Sequence, residues 1–177
     1  KWNFLWNKQQ NKLNMKKIRD HDKFYLKSNR YNKPKECFKL LKDTLKKRLK
    51  NNSTYDLLDI GCANGELLYY INKKFKNINF HGADVRTDLI NLAKKKLPSK
   101  IILERLDYNK KQVIKKKYDI IICSGVISIF DNLDIVMNNI KQSSAKDSFL
   151  YFFGSFNTYD FDTRVAYKDL NSKIKNF

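Results

Sequence analysis

Two spacings of apolar residues alternate along the chain. Short, nearly continuous apolar runs occur at 57–60, 78–83, 101–106, 118–123 and 148–153, and each has the length of a buried strand. Between them apolar residues recur at three- and four-residue steps, the period of a helix with one buried face. After Pro34 these are Cys37, Phe38, Leu41, Leu45 and Leu49; in 65–75 they are Leu67, Leu68 and Ile71. Leu89, Leu92, Ala93 and Leu97 follow, with Thr87 or Asp88 expected as the cap and Pro98 as the stop, and then Leu133, Val136, Met137 and Ile140. Residues 1–20, carrying Trp2, Leu5, Trp6, Leu13 and Ile18, read as an amphipathic helix, and 21–33 as a polar, aromatic connector.

Strands that alternate with helices predict an α/β fold with a mainly parallel sheet and helices on both faces. The first strand turns into its helix through Asp59-Ile60-Gly61-Cys62-Ala63-Asn64-Gly65-Glu66. Small residues at such a turn let backbone approach a ligand closely. A dinucleotide loop wants a small residue at its sixth position, where a pyrophosphate meets the helix N-terminus. Glu66 stands there, and its charge opposes a pyrophosphate. Asp84 closes the second strand, where a carboxylate can accept hydrogen bonds from vicinal ribose hydroxyls.

The acidic residue Asp59 followed by Gly61, Ala63 and Gly65 resembles motif I of the class I S-adenosylmethionine-dependent methyltransferases, with alanine in place of the commonest middle glycine. The resemblance runs over roughly residues 55 to 155 and implies a doubly wound sheet of order 3-2-1-4-5. The sixth strand and antiparallel seventh of a complete domain are not evident in 155–177, which reads as missing or truncated strands. It implies S-adenosyl-L-methionine as cofactor, with Asp59, Gly61, Cys62, Ala63 and Gly65 forming the floor of its site. Asp84 would hold the ribose, Val85 would lie against the adenine, Asp107 would accept from the adenine amino group with Tyr108 beside it, and Ser124 would pass the methionine part. In many family members the segment before the first strand folds over the cofactor, which makes Tyr25, Arg30 and Tyr31 lid candidates. A histidine or acid is common in the loop after strand four; the matching positions here are Ser128 and Ile129. The catalytic base is therefore unassigned, with His21, Tyr25, Asp131 and Tyr159 as weak candidates.

Composition narrows the picture further. The 177 residues suit one globular unit, read as an N-terminal helical extension or lid over 1–50 and a Rossmann-like domain over 51–177. At 42% hydrophobic and 31% charged the chain is not a wholly disordered one. No apolar run is long enough to span a bilayer and no signal-peptide pattern is present, so a cytoplasmic protein is expected. Cys37, Cys62 and Cys123 lack metal or disulfide spacing and read as reduced structural thiols; with only His21 and His81 as imidazoles, no metal site is expected.

The net charge of +19 favours polyanions in principle. It is carried mainly by lysine, in a sequence rich in Asn, Ile, Tyr and Phe, a pattern that follows A/T-rich codons. The resulting expectation is methyl transfer to a small-molecule or saccharide-like acceptor. An RNA methyltransferase and a non-catalytic partner subunit on the same fold are the alternatives, and the oligomeric state is open.

Overall fold

The computed structural model describes residues 20–112, 115–130 and 132–154, with the side chains of 20–23 outside the described set. In chain order the elements are α1 (Asp20–Lys27), α2 (Glu36–Arg48), β1 (Tyr55–Ile60), α3 (Glu66–Asn72), β2 (Ile78–Asp84), α4 (Thr87–Lys96), β3 (Ile102–Arg105), β4 (Tyr118–Ser124), a 3-10 turn (Ile127–Ile129), α5 (Leu133–Ser143) and β5 (Ser144–Phe153). The strands form one sheet of order β3-β2-β1-β4-β5. All four pairings are parallel. This is the doubly wound order that the resemblance implies.

The three central strands, β1, β2 and β4, are buried on both faces because helices cover both. On one face Leu57, Phe80, Ile120 and Ile122 meet Phe38, Leu41 and Leu45 of α2, Leu68 and Ile71 of α3, and Ile90 and Ala93 of α4. On the other Leu58, Ile60, Ala83 and Ile121 meet Val136 and Ile140 of α5. The alternation of neighbouring strand residues between the two clusters follows from the period of two. The helix over 36–48 thus covers the sheet, as its apolar spacing predicts.

The register places the site. Ile60 pairs with both Ala83 and Cys123, Asp84 with Arg105 and Ser124 with Phe153. The carboxyl ends of the strands therefore finish along one edge, and the sequence order reverses direction between β1 and β4. A crevice at that edge is where open α/β sheets bind ligands.

The described structure departs from the sequence reading in three places. Residues 21–27, expected as connector, belong to α1, beside which the Arg30 guanidinium lies 4.4 Å from the Phe24 ring and Phe24 meets Tyr25 edge-on. Tertiary contacts hold this short segment, which its own periodicity does not announce. Helix α4 begins at Thr87 with Arg86 as its N-cap and no side-chain capping bond; Asp88 instead accepts from the Leu89 amide and pairs with Arg86. Strand β5 starts at Ser144, directly after α5, and reaches Phe149 through left-handed Asp147 and a shift in register against β4. The helix expected over 1–20 and any strands beyond 154 lie outside the described residues. Among the described residues no helix is long and apolar enough to cross a membrane.

Candidate active site

The turn after β1 is shaped by backbone that bends through left-handed conformations at Gly61 (φ 72), Ala63 (φ 49) and Gly65 (φ 81). The Ala83 carbonyl accepts from both the Gly61 and Cys62 amides, at 2.8 and 3.1 Å, which ties the turn to the end of β2. A Cβ on Gly61 would sit 2.5 Å from Val126 Cγ1, so glycine is required by both conformation and space. Ala63 has no such freedom. Holding alanine in the left-handed region costs about 1–2 kcal/mol, a strain that follows from the backbone at φ 49 where the sequence pattern shows only a small residue.

Asp84 joins the turn to the next loop. Its Oδ2 accepts from the Ala63 amide at 2.9 Å and its Oδ1 from the Arg86 amide at 2.9 Å. It closes β2 and lines the cleft. Asp59 lies deeper, fully enclosed beneath the turn. Burial, with the negative charge of Asp84 adding to it, pushes its carboxyl up to about 8.

These groups border one cleft at the carboxyl edge of the sheet. Asp59, Gly61, Cys62, Ala63, Asp84, Val85, Asp107, Tyr108 and Ser124 all line it. Gly65 does not: it packs behind the turn, where a Cβ would strike Leu97 Cδ1 at 2.5 Å and Ala93. Asp107 holds the Asn109 amide at 3.0 Å, an ordinary Asx-type contact that fixes its loop. Tyr108 is a packing residue with one face on the cleft. Its hydroxyl meets Ser143 Oγ at 2.9 Å, and burial pushes the phenol up to about 12. Burial likewise raises the Cys62 thiol and takes Cys123 to about 12, so both stay protonated. All three cysteines are free.

Of the weak candidates for a base, Tyr25 lines the cleft. The His21 side chain, Asp131 and Tyr159 lie outside the described residues. Among the described residues no cluster of three or more histidine, cysteine or acidic side chains could hold a metal.

A strap that the sequence reading only half saw crosses the turn. Glu66 Oε1 accepts from Ser28 Oγ at 2.7 Å, from the Arg30 amide at 2.8 Å and from Asn64 Nδ2 at 3.3 Å. Asn64 Nδ2 also donates to the Tyr25 carbonyl at 3.1 Å, and the buried Tyr31 hydroxyl donates to the Asn64 carbonyl at 2.7 Å. Tyr25 thereby stands over the cleft, while Tyr31 and Arg30 serve as anchors of the strap. Besides the resemblance that makes Tyr25, Arg30 and Tyr31 lid candidates, the sequence signal for this network is a carboxylate where a dinucleotide loop has a small residue.

Comparison with known proteins gives a consistent picture. A family model described as a methyltransferase domain matches residues 58–150. A probable (S)-tetrahydroprotoberberine N-methyltransferase 2 of Papaver bracteatum is 29% identical over 99 residues, 54% of this chain and 27% of that protein. A malonyl-[acyl-carrier protein] O-methyltransferase of Acetivibrio thermocellus is 25% identical over 129 residues, 72% of this chain and 45% of that one. The chain thus spans less than half the length of either relative. Among solved structures, the plantazolicin methyltransferase BpumL, in complex with a triazolic desmethylPZN analog and SAH, superposes with TM-score 0.58 at 26% identity, covering 74% of this chain and 52% of that one. Coclaurine N-methyltransferase, bound to N-methylheliamine and SAH, superposes with TM-score 0.58 at 16% identity over 71% and 42% of the two chains, a likeness of fold.

Proposed function

Because the chain belongs to the methyltransferase domain family, we propose that it transfers a methyl group from S-adenosyl-L-methionine to a small-molecule acceptor. The observation that carries this reading is Asp84. It ends β2 beside the switch in strand order, is braced by the amides of Ala63 and Arg86, and faces a cleft whose floor is the Gly61–Ala63 turn.

The donor set fits a nucleoside with a cationic amino-acid tail. Asp84 would accept from the two ribose hydroxyls. Asp107 would accept from the adenine amino group, with half-exposed Val85 and the ring of Tyr108 closing on the base. The turn from Gly61 to Ala63 would lie under the tail, and Asp59 and Ser124 would border it. When bound, the cofactor supplies a methyl group on a positively charged sulfur, already activated for displacement.

What remains for the protein is orientation and exclusion of water. Tyr25 of the strap and Val126, Ile129 and Phe130 of the loop after β4 border the cleft and are suited to both tasks. An acceptor whose nucleophilic atom is already unprotonated needs no general base. The relatives' printed activities, on an alkaloid nitrogen, a carrier-bound malonyl group and a peptide product, support a small or natural-product acceptor over a saccharide.

Isothermal titration tests the reading. S-adenosylhomocysteine should bind the wild type, and Asp84→Asn should weaken it at least tenfold with its thermal unfolding little changed; a folded protein that binds nothing would refute the proposal. The net charge of +19 favours a second reading, a polynucleotide acceptor. It requires RNA affinity that falls steeply with salt.

A further inference from the structure

Among the described residues two cationic side chains border the cleft, Lys35 and Arg86. Arg86 is committed to Asp88 through its guanidinium. Lys35 differs: no acid among the described residues lies within ion-pair distance of its ammonium. It stands half-buried at the start of α2 and makes no capping bond there. Its Nζ donates to the Tyr25 hydroxyl at 2.9 Å and lies 4.9 Å from the centre of the Tyr25 ring and 5.5 Å from that of Phe38. Both rings line the cleft, so the charged end of the side chain, and not only its stem, is held at the cleft wall.

An ammonium has three donors, and Tyr25 takes one of them. The two rings attract the charge through their faces without neutralising it. A cation kept against two rings is partly withdrawn from water, and an anion entering the cleft gains more from it than from a surface lysine. One unpaired cation matches one negative charge. A phosphate monoester would bring nearly two, to a wall that also carries Asp84 and Glu66. A carboxylate is the better match. The strap fixes where it would bind: the Tyr25 carbonyl accepts from Asn64 Nδ2 at 3.1 Å, which places the Tyr25–Lys35 pair beside the turn after β1.

We propose that Lys35 is the carboxylate-binding residue of the cleft, its ammonium pairing with one carboxylate of a bound ligand while Tyr25 and Phe38 hold it in place. The inference rests on the methyl-transfer reading and deepens it. Two ligands of that reaction qualify as the source. One is the cofactor, whose amino-acid tail the proposed function lays over the turn from Gly61 to Ala63. The other is an acidic acceptor. The chemistry that Lys35 recognises is the same in both, and the measurements below separate them.

Lys35→Met keeps most of the stem and removes the charge; Lys35→Arg restores a cation. The full chain is titrated calorimetrically with S-adenosylhomocysteine and with methylthioadenosine, which keeps the nucleoside and the sulfur but lacks the amino-acid tail. If the cofactor brings the carboxylate, Lys35→Met should bind S-adenosylhomocysteine about tenfold more weakly, the scale of one charge-assisted hydrogen bond. Methylthioadenosine should bind as before, and Lys35→Arg should recover most of the loss. If the acceptor brings it, Lys35→Met should bind both nucleosides as the wild type does. Benzoate, titrated into wild type saturated with S-adenosylhomocysteine, should then bind about tenfold more tightly than benzamide, and Lys35→Met should bind the two alike.

Acetylation of the wild type, read by peptide mass spectrometry, decides the matter if Lys35→Met does not fold. S-adenosylhomocysteine should slow modification of Lys35 more than methylthioadenosine does, or benzoate more than benzamide, while exposed Lys94, Lys95 and Lys96 react as before. No such protection overturns the proposal. So does equal weakening of both nucleosides in Lys35→Met, which marks a structural role, and so does an unchanged S-adenosylhomocysteine affinity with benzoate and benzamide bound alike. Failure of the cofactor reading looks different, since then neither nucleoside binds. Benzoate and benzamide titrated into the unliganded chain then decide the subsite alone: a benzoate preference that Lys35→Met abolishes upholds it, and equal binding removes it.

Discussion

Glu66 Oε1 lies 2.8 Å from the backbone nitrogen of Arg30, a contact between residues 36 positions apart that fastens the strap to the first turn of α3. The carboxylate is buried and serves three donors at once. The anion that this helix terminus favours is thus supplied by the chain itself.

Glu66→Ala should therefore loosen the strap and destabilise the fold by about 1–3 kcal/mol, the penalty for leaving buried donors unpaired. Urea unfolding measures the loss, and hydrogen exchange should show it locally, with the Arg30 amide losing protection. Glu66→Gln, which keeps an acceptor oxygen in place, should recover most of the stability. Equal losses in both variants would mean that the negative charge, and not the hydrogen-bond geometry, holds the strap.

Ala63 occupies a backbone conformation that suits glycine, with its amide tied to Asp84. Ala63→Gly should relieve that strain, offset in part by the greater freedom of the unfolded chain. A gain in stability of up to about 1 kcal/mol is expected. A lower melting temperature would show that the methyl group contributes packing that outweighs the strain.

The raised carboxyl of Asp59 makes stability depend on pH. In the unfolded chain the group ionises near 3.8, while in the fold it keeps its proton up to about 8. The unfolded state therefore holds fewer protons between these values, and stability falls as pH rises through that window. Asp59→Asn should flatten the fall in a series of denaturant titrations. A cationic ligand in the cleft favours the ionised form, so binding S-adenosylmethionine below about pH 8 should release a proton, seen as a dependence of the apparent enthalpy on buffer ionisation.

His81 works in the opposite direction. It is buried in β2, bonded through Nδ1 to the Tyr118 hydroxyl and with Nε2 2.9 Å from Glu104. Burial lowers its basicity, and this outweighs the attraction of Glu104, with the positive charge of Lys116 also disfavouring protonation. The unfolded chain takes up the proton first as pH falls below about 6.5, so stability is full above that value and declines beneath it. Chemical-shift titration of the imidazole in the folded protein should give a midpoint below 6.5; a midpoint above it would reverse the assignment.

The sequence alone determined the sheet and the edge that carries the cleft. Short apolar runs, helical spacing between them and small residues after β1 are local patterns, and a parallel α/β sheet is the arrangement that buries them all. Asp59, Asp84 and Asp107 were legible because each closes or nearly closes a strand, and strand ends in such a sheet meet at one edge. Tertiary structure alone decided the rest. That Gly65 faces α4 and not the cleft depends on the angle at which α3 leaves the turn. The work of Glu66 on the strap and the tie from Asp84 to the Ala63 amide arise between residues distant in the chain. No local spacing encodes such contacts, because their energy exists only once the core has brought the segments together.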